Sequence, residues 1–308
     1  MDGSHTLVEM LKAYQVDVIF GVPGDTSIPL YEALYNSRSS IRHIVARDER
    51  SASFMADAYA RLSHKPGLCE CPSGAGPLYS VPGVAEANAS SNKQRYRFWK
   101  DAEKQFASKE IPLKPQRVIA ELNKHLPGDA IVISDAGTPT PYITRYLKLG
   151  GQGSRFIIPR SYGGLGYAIP AVVGAHFARP ESRLVGLFGD GSLGMSAGEL
   201  ETISRLQIPA VLIHFNNSTF GWIKALQHLH SEARYFSVDF NANDPAKVAE
   251  GFGLSAYRVN SPEELSQALT GAFSGRKPVF LDVVTEPEVQ NLPPVYTWLK
   301  HGKKKRKK

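Results

Sequence analysis

Two groups of polar residues could together bind a phosphate and a divalent cation. Residues 189–192 read Gly-Asp-Gly-Ser, and a pair of asparagines follows at 216 and 217. Glycines let backbone N–H groups approach phosphate oxygens, while Asp190 and Asn217 offer the oxygen ligands that Mg²⁺ prefers. The alternative interpretation is an ordinary glycine-rich turn in which Asp190 caps a helix.

The segments around these residues predict a strand, a helix and a second strand. The apolar runs at 184–188 and 210–215 are typical of buried parallel strands, and residues 197–206 between them favour a helix. Open α/β sheets bind ligands beyond the carboxyl ends of their strands. Because each polar group ends one strand, and Asn217 comes 27 residues after Asp190, the two groups are expected to lie together.

The GDGS and NN motifs resemble those of the thiamine-diphosphate-dependent enzymes of the acetolactate synthase, pyruvate decarboxylase and benzoylformate decarboxylase type. This resemblance implies that Asp190, Asn217 and the main chain of Thr219 bind Mg²⁺. It also implies a set of residues that contact thiamine diphosphate: Gly137, Thr138, Gly163, Leu165, Gly189, Gly191, Ser192 and Phe220. In the family, the residue at the position of Leu165 props the cofactor into a bent shape. Ordinary core packing is the other explanation for this leucine.

Glu49 is the candidate catalytic residue. It stands where an apolar strand pattern gives way to an amphipathic helix pattern, and the surrounding FGVPGD, MADAYAR and PSGAG segments also resemble the family. A glutamate in this place shares a proton with the pyrimidine ring of the cofactor and so promotes formation of the thiazolium C2 ylid. The alternative role is a favourable charge at a helix N-terminus. The chain departs from the family at Asp48, where histidine is common, and at Cys71, near which decarboxylases have a histidine.

The resemblance divides the chain into four parts. Residues 1–92 match a truncated pyrimidine-type domain with about three strands, 93–114 form a connecting segment, 115–300 form a complete diphosphate-binding domain with about five strands, and 301–308 form a basic disordered tail. The family's middle domain is missing. Since that domain carries FAD where the family uses it, FAD is not expected. The predicted fold class is α/β, with the parallel-sheet thiamine-diphosphate-binding fold.

The implied activity is that of a 2-oxo-acid lyase or transferase similar to acetolactate synthase, which works through the C2 ylid and an acyl carbanion. A simple 2-oxo-acid decarboxylase and an inactive or weakly cofactor-binding remnant remain alternatives. In the family, the cofactor lies between the pyrimidine domain of one subunit and the diphosphate domain of another. A homodimer or homotetramer is therefore expected.

Composition and charge exclude several classes of protein. The net charge is +7, of which the six basic residues at 303–308 contribute +6, so the rest of the chain carries 7 − 6 = +1. Nucleic acid is therefore an unexpected partner except through the tail, for which a solubilising end is the other explanation. No apolar run approaches the roughly 20 residues that span a bilayer. Without a signal-peptide pattern, and with two cysteines read as reduced thiols, a cytoplasmic location is expected.

Overall fold

The computed structural model describes residues 3–63, 65–72, 76–87, 102–148, 155–159, 162–293 and 295. These residues form an α/β protein with two parallel sheets, which confirms the predicted fold class. Three predicted features lie outside the described residues: residues 73–75 of the PSGAG segment, residues 93–101 of the connecting segment, and the basic tail.

The first sheet has the three predicted strands, which are β1 (Val18–Gly21), β2 (Arg42–Val45) and β3 (Leu68–Glu70). Their order is β2-β1-β3, and all pairs are parallel. The second sheet contains β4 (Ile131–Ser134), β5 (Arg155–Ile157), β6 (Leu184–Gly189), β7 (Ala210–Asn216), β8 (Ser255–Val259) and β9 (Val279–Val284). Its order is β5-β4-β6-β7-β9-β8, again with parallel pairs throughout.

The prediction of about five strands for the second sheet is wrong by one, because the described residues form six. The missed strand, β8, lies at the sheet edge, and most of its side chains are at least partly exposed. An edge strand of this kind has no continuous apolar run that would predict it.

The described residues form thirteen α-helices. In the first segment these are α1 (Gly3–Ala13), α2 (Ile28–Asn36), α3 (Glu49–Ser63) and α4 (Gly76–Ala87). The remaining helices are α5 (Glu103–Phe106), α6 (Pro115–His125), α7 (Pro139–Tyr146), α8 (Ala168–Ala178), α9 (Asp190–Ser196), α10 (Glu199–Arg205), α11 (Gly221–His230), α12 (Pro245–Gly251) and α13 (Pro262–Ser274).

The helix predicted at 197–206 corresponds to α10, but the sequence did not predict the helix α9 that precedes it. Helix begins at Asp190, directly after β6, and is divided into α9 and α10 near Gly198. The sequence favours a loop at 190–194 because glycine has low helix propensity. Tertiary contacts of Asp190, described below, override that local preference.

One of the three apolar clusters of the described residues is shared by the two sheets. One continuous cluster joins side chains of the first segment, such as Phe20, Phe54 and Met55, to side chains of the second, such as Val172 and Phe188. Helix α3 covers the first sheet, α8 covers the second, and the two helices pack against each other. The first segment is therefore buried against the second within the same chain.

A glycine permits this close helix packing. A Cβ atom built on Gly174 of α8 would lie 2.0 Å from the backbone oxygen of Met55 in α3. The phenol of Tyr167 adds a buried hydrogen bond, which it donates to Oδ2 of Asp57 over 2.7 Å. None of the described helices is both long and apolar enough to cross a bilayer.

Candidate functional site

The candidate site lies where the strand order of the second sheet reverses. The chain crosses from β4 outward to β5, and then returns to the other side of β4 to form β6. The two loops that leave β4 and β6 therefore diverge and open a crevice, which is the usual ligand site of open α/β sheets. Thr138 follows β4 and Gly189 ends β6. A Cβ on Gly189 would lie 3.5 Å from the Thr138 hydroxyl oxygen.

Asp190 and Asn217 meet at this crevice, as their spacing predicts. The backbone N–H of Asn217 donates to Oδ2 of Asp190 over 3.0 Å. The N-cap position of α9 is Gly189, and Asp190 is the first residue inside the helix, so Asp190 does not occupy the capping position. The carboxylate instead joins the ends of β6 and β7.

The turn after Asn217 brings the third predicted metal ligand into place. Oδ1 of Asn217 accepts hydrogen bonds from the backbone N–H and the hydroxyl of Thr219, over 3.2 and 3.1 Å. Ser218 between them has a φ of 54°, in the left-handed region that a tight turn of this kind requires. Thr219 is buried. Carboxylate, amide and main-chain oxygens thus lie close together in the sequence order that the resemblance implies.

Phe220 packs directly on the glycine-rich turn. A Cβ on Gly191 would lie 2.4 Å from the Phe220 ring, and Phe240 supports that ring edge-on at 4.6 Å between centroids. Ser192 next to this glycine is buried. The predicted contacts Gly191, Ser192 and Phe220 therefore lie together beside Asp190.

Gly137 lies on the loop that follows β4, and Gly163 and Leu165 lie on the loop that follows β5. Both glycines have left-handed backbones, with φ of 100° and 74°. A Cβ on Gly137 would lie 3.8 Å from Leu165, whereas nothing lies within 4 Å of a Cβ on Gly163. Leu165 is only half-buried and is outside the apolar core clusters of the described residues. Core packing is therefore a poor explanation for this leucine.

Glu49 is the first residue of α3, at the boundary between the two segments. The neighbouring Asp48 caps this helix, since its Oδ1 accepts from the backbone N–H of Ser51 over 2.8 Å. On either side of Glu49, the Arg47 backbone N–H donates to Glu199 over 2.7 Å and the Arg50 guanidinium donates to the Met195 carbonyl over 2.5 Å. Glu49 is therefore held against α9 and α10, the helices that follow Asp190.

The aromatic ring of Phe54, one helical turn further along α3, reaches the predicted cofactor loop. A Cβ on Gly164 would lie 3.2 Å from this ring. Gly164 lies between Gly163 and Leu165. The structure thus brings the helix that carries Glu49 to the same loop as two predicted cofactor contacts.

Buried carboxyl groups give the site an unusual electrostatic character. Burial raises the pKa of Asp190, which the nearby His214 partly opposes. Burial also raises the pKa of Glu288, which lies close enough to feel the charge of Asp190. Two buried acids side by side favour the arrival of a cation, because a cation stabilises their ionised forms. No group of three or more His, Cys, Asp or Glu side chains in the described residues has an arrangement that could hold a metal ion, and the predicted Mg²⁺ ligands include only one carboxylate.

Sequence reasoning missed several residues that organise this site. Asp135 is fully buried, and its Oδ2 accepts from the backbone N–H of Ala168 over 3.0 Å, which ties the end of β4 to the start of α8. Burial raises the pKa of its carboxyl to about 7. His214 is likewise buried in β7, 3.6 Å from Asp190 and 2.9 Å from Asp282. The signal available in the sequence was a histidine inside an otherwise apolar strand.

Among the residues that sequence reasoning missed, Glu288 contacts a predicted metal ligand directly. It is 1% exposed, and its Oε2 accepts from the Asn217 side-chain amide over 3.0 Å. It follows the last strand of the sheet, where the rule for open α/β sheets places ligand-binding residues. That position was the signal that could have identified it.

The fold and this crevice define a class of protein: a parallel α/β protein with a glycine-rich, polar crevice at the switch point of its second sheet. Comparison with known proteins identifies the family. Residues 1–93 match the N-terminal TPP binding domain of thiamine pyrophosphate enzymes, and residues 135–283 match the C-terminal TPP binding domain. The chain belongs to the thiamine pyrophosphate enzyme family, and it lacks the family's middle domain.

Three curated relatives illustrate the range of the family. The chain is 33% identical to the probable acetolactate synthase large subunit of Methanococcus aeolicus over 184 residues, which cover 58% of this chain and 31% of the relative. It is 29% identical to the benzoylformate decarboxylase of Pseudomonas aeruginosa over 175 residues, or 57% and 33% of the two chains. It is 31% identical to the pyruvate oxidase of Lactiplantibacillus plantarum over 177 residues, or 57% and 29%. The matched region thus spans about a third of each relative.

Proposed function

We propose that this chain binds thiamine diphosphate with Mg²⁺ and acts on a 2-oxo acid as an acetolactate-synthase-like lyase or transferase. The observation that carries the proposal is the joining of Asp190 to Asn217 at the switch point, with the Thr219 turn beside them. Asp190, Asn217 and the Thr219 main chain would bind the cation. Gly189, Gly191 and Ser192 would bind the diphosphate.

The residues present suit this cofactor. The left-handed Gly163 has open space where a side chain would stand, and Leu165 projects beside Gly137 at the edge of the same crevice. When bound, thiamine diphosphate supplies a nucleophilic carbon that adds to a carbonyl group and holds the electrons left by departing CO₂. The role proposed for Glu49 is to exchange a proton with the pyrimidine ring.

The family resemblance also gives predictions about assembly, location and partners. A homodimer or homotetramer, a cytoplasmic location and a small 2-oxo acid as substrate remain predictions from the family resemblance. The absence of FAD is a prediction of the same kind. Nucleic acid binding is expected only through the basic tail.

The test uses cofactor chemistry that does not require a known substrate. In D₂O with Mg²⁺ and thiamine diphosphate, the wild-type chain is expected to accelerate exchange of the thiazolium C2 proton. Proton NMR measures the rate of this exchange. Glu49→Gln should bind the cofactor but lose this acceleration, because glutamine cannot accept the proton. Glu32→Gln, a change at an exposed glutamate of α2, is the matched control. Undiminished exchange in Glu49→Gln would refute the role of Glu49.

A second candidate function is a cofactor-binding protein without turnover. The observation that favours it is the size of the first sheet, which has only three strands among the described residues, whereas sheets usually have about four to six. Cofactor binding by the wild-type chain with no C2 exchange and no consumption of pyruvate would support this alternative. Turnover of pyruvate would exclude it. Release of CO₂ without coupling to a second acceptor would favour the simple decarboxylase instead.

A further inference from the structure

The segment after β9 carries a glutamate into the proposed cation site. The backbone N–H of Thr285 donates to the Asn216 carbonyl over 2.8 Å, and the carboxylate of Glu286 lies 3.1 Å from the Lys114 ammonium. These contacts hold residues 285–288 against the end of β7. The side chain of Glu288 is 1% exposed, so its position is fixed by the protein interior and not by solvent.

The side chain of Glu288 has two polar neighbours in the site, Thr138 and Asn217. Its Oε2 accepts from the side-chain nitrogen of Asn217 over 3.0 Å, and its Oε1 has no hydrogen-bond partner within the described part of the chain. A buried carboxylate with an unpaired oxygen is costly unless it serves another purpose.

Helix α11 begins with a glycine that makes room for this carboxylate. A Cβ on Gly221 would lie 1.9 Å from Oε2 of Glu288 and 2.5 Å from Oε1. Any other residue at 221 would therefore displace the carboxylate. The chain combines a buried glutamate, a glycine that accommodates it and an amide that it contacts.

The contact determines which end of the Asn217 amide faces the metal-binding turn. A carboxylate accepts hydrogen bonds and so pairs with the amide nitrogen, never with the amide oxygen. The oxygen must then point the other way, and it accepts from the Thr219 backbone N–H over 3.2 Å. Only that oxygen could bind a cation, because an amide nitrogen is not a ligand for Mg²⁺.

We propose that Glu288 is a positioning residue that orients the Asn217 amide with its oxygen toward the cation. This inference rests on the proposed function, since it assigns Asn217 as a metal ligand. Residues that orient metal ligands in this way commonly contribute about 10- to 100-fold to metal affinity.

The test is a calorimetric titration of each variant with Mg²⁺, made in the presence of thiamine diphosphate and without substrate. Glu288→Ala is expected to weaken Mg²⁺ binding by about 10- to 100-fold. Glu288→Gln should stay close to wild type, because its side-chain oxygen can accept the same hydrogen bond. Glu263→Ala, at an exposed position of α13, is the control and should leave Mg²⁺ affinity unchanged.

Two results would overturn the inference. One is wild-type Mg²⁺ affinity in a folded Glu288→Ala variant. The other is an equal loss in Glu288→Gln, which would show that the charge of Glu288 acts on the cation directly. Glu288→Leu, which fills the same space without acceptor atoms, replaces the alanine variant if that variant does not fold. Failure of the wild-type chain to bind Mg²⁺ and the cofactor would instead refute the proposed function.

Discussion

Gly174 provides the strongest test of how the two segments pack. A Cβ at this position would lie 2.0 Å from the Met55 backbone oxygen, whereas a carbon and an oxygen in favourable contact are separated by roughly 3.5 Å. Backbone lies on both sides of this contact, so no side chain can rotate away. Gly174→Ala must therefore move α3 and α8 apart by about 1 Å or more.

The expected change in the free energy of unfolding is opposite in sign to that of an ordinary glycine-to-alanine substitution in a helix. Glycine to alanine in a helix interior normally stabilises a protein by about 0.5–1 kcal/mol. Overpacking of a rigid core costs about 1–3 kcal/mol. We expect Gly174→Ala to lower the free energy of unfolding by about 1–3 kcal/mol. Gly271→Ala in α13, where nothing lies within 4 Å of a new Cβ, should raise it by about 0.5–1 kcal/mol.

The assay is equilibrium unfolding in urea, followed by circular dichroism, for the wild type and both variants. Because α3 begins with Glu49, the Gly174→Ala variant should also lose C2 proton exchange while the diphosphate site of the second segment persists. If Gly174→Ala is as stable as Gly271→Ala, the two helices do not pack as described, and the reasoning is refuted.

Three further predictions concern the same interface and site. Burial raises the pKa of Glu199 from 4.5 to about 7, so the folded state holds a proton that the unfolded state releases. The associated stability is present below pH 4.5 and is lost as pH rises to about 7, a change of about 3 kcal/mol. The free energy of unfolding in urea, measured at pH 5 and pH 8, should therefore differ less in Glu199→Gln than in the wild type. An equal difference in the two proteins would contradict this prediction. Gly191→Ala should weaken thiamine diphosphate binding by displacing the Phe220 ring, measured by calorimetry; wild-type affinity would show that the turn tolerates a side chain. Mixing Glu49→Gln with Asp190→Ala should restore part of the C2 exchange, because a mixed homodimer whose subunits share the cofactor contains one site with both residues intact; no recovery would show that Glu49 and Asp190 of one chain form the site.

Local sequence patterns predicted most of the fold. The start of α3 at Glu49 was located by the change from an apolar strand pattern to an amphipathic helix pattern. Strands β6 and β7 were recognised as apolar runs because they are buried throughout. Strand β8 was missed because its exposed edge removes that signal. Helix α9 was missed because its glycines have low helix propensity, and its first residue, Asp190, accepts a hydrogen bond from Asn217 that forms only in the folded sheet.

The sequence predicted the site residues that lie within its motifs and missed those outside them. Asp190, Asn217 and Thr219 are adjacent in the structure because they end neighbouring parallel strands, which the sequence pattern indicates. Asp135, Glu199 and Glu288 act through partners 33, 152 and 71 residues away. Contacts at such separations depend on the final packing, so neither spacing nor periodicity could predict them.

The central claim is that Asp190 and Asn217 bind thiamine diphosphate through a divalent cation. Its most direct test is calorimetric titration of thiamine diphosphate into the wild-type chain and into Asp190→Ala, each with Mg²⁺ and with EDTA. We predict saturable binding by the wild type in Mg²⁺, strongly weakened binding in EDTA, and the same weakness in Asp190→Ala under both conditions. Equal affinity of the wild type with and without Mg²⁺, or of Asp190→Ala and the wild type in Mg²⁺, would contradict the claim.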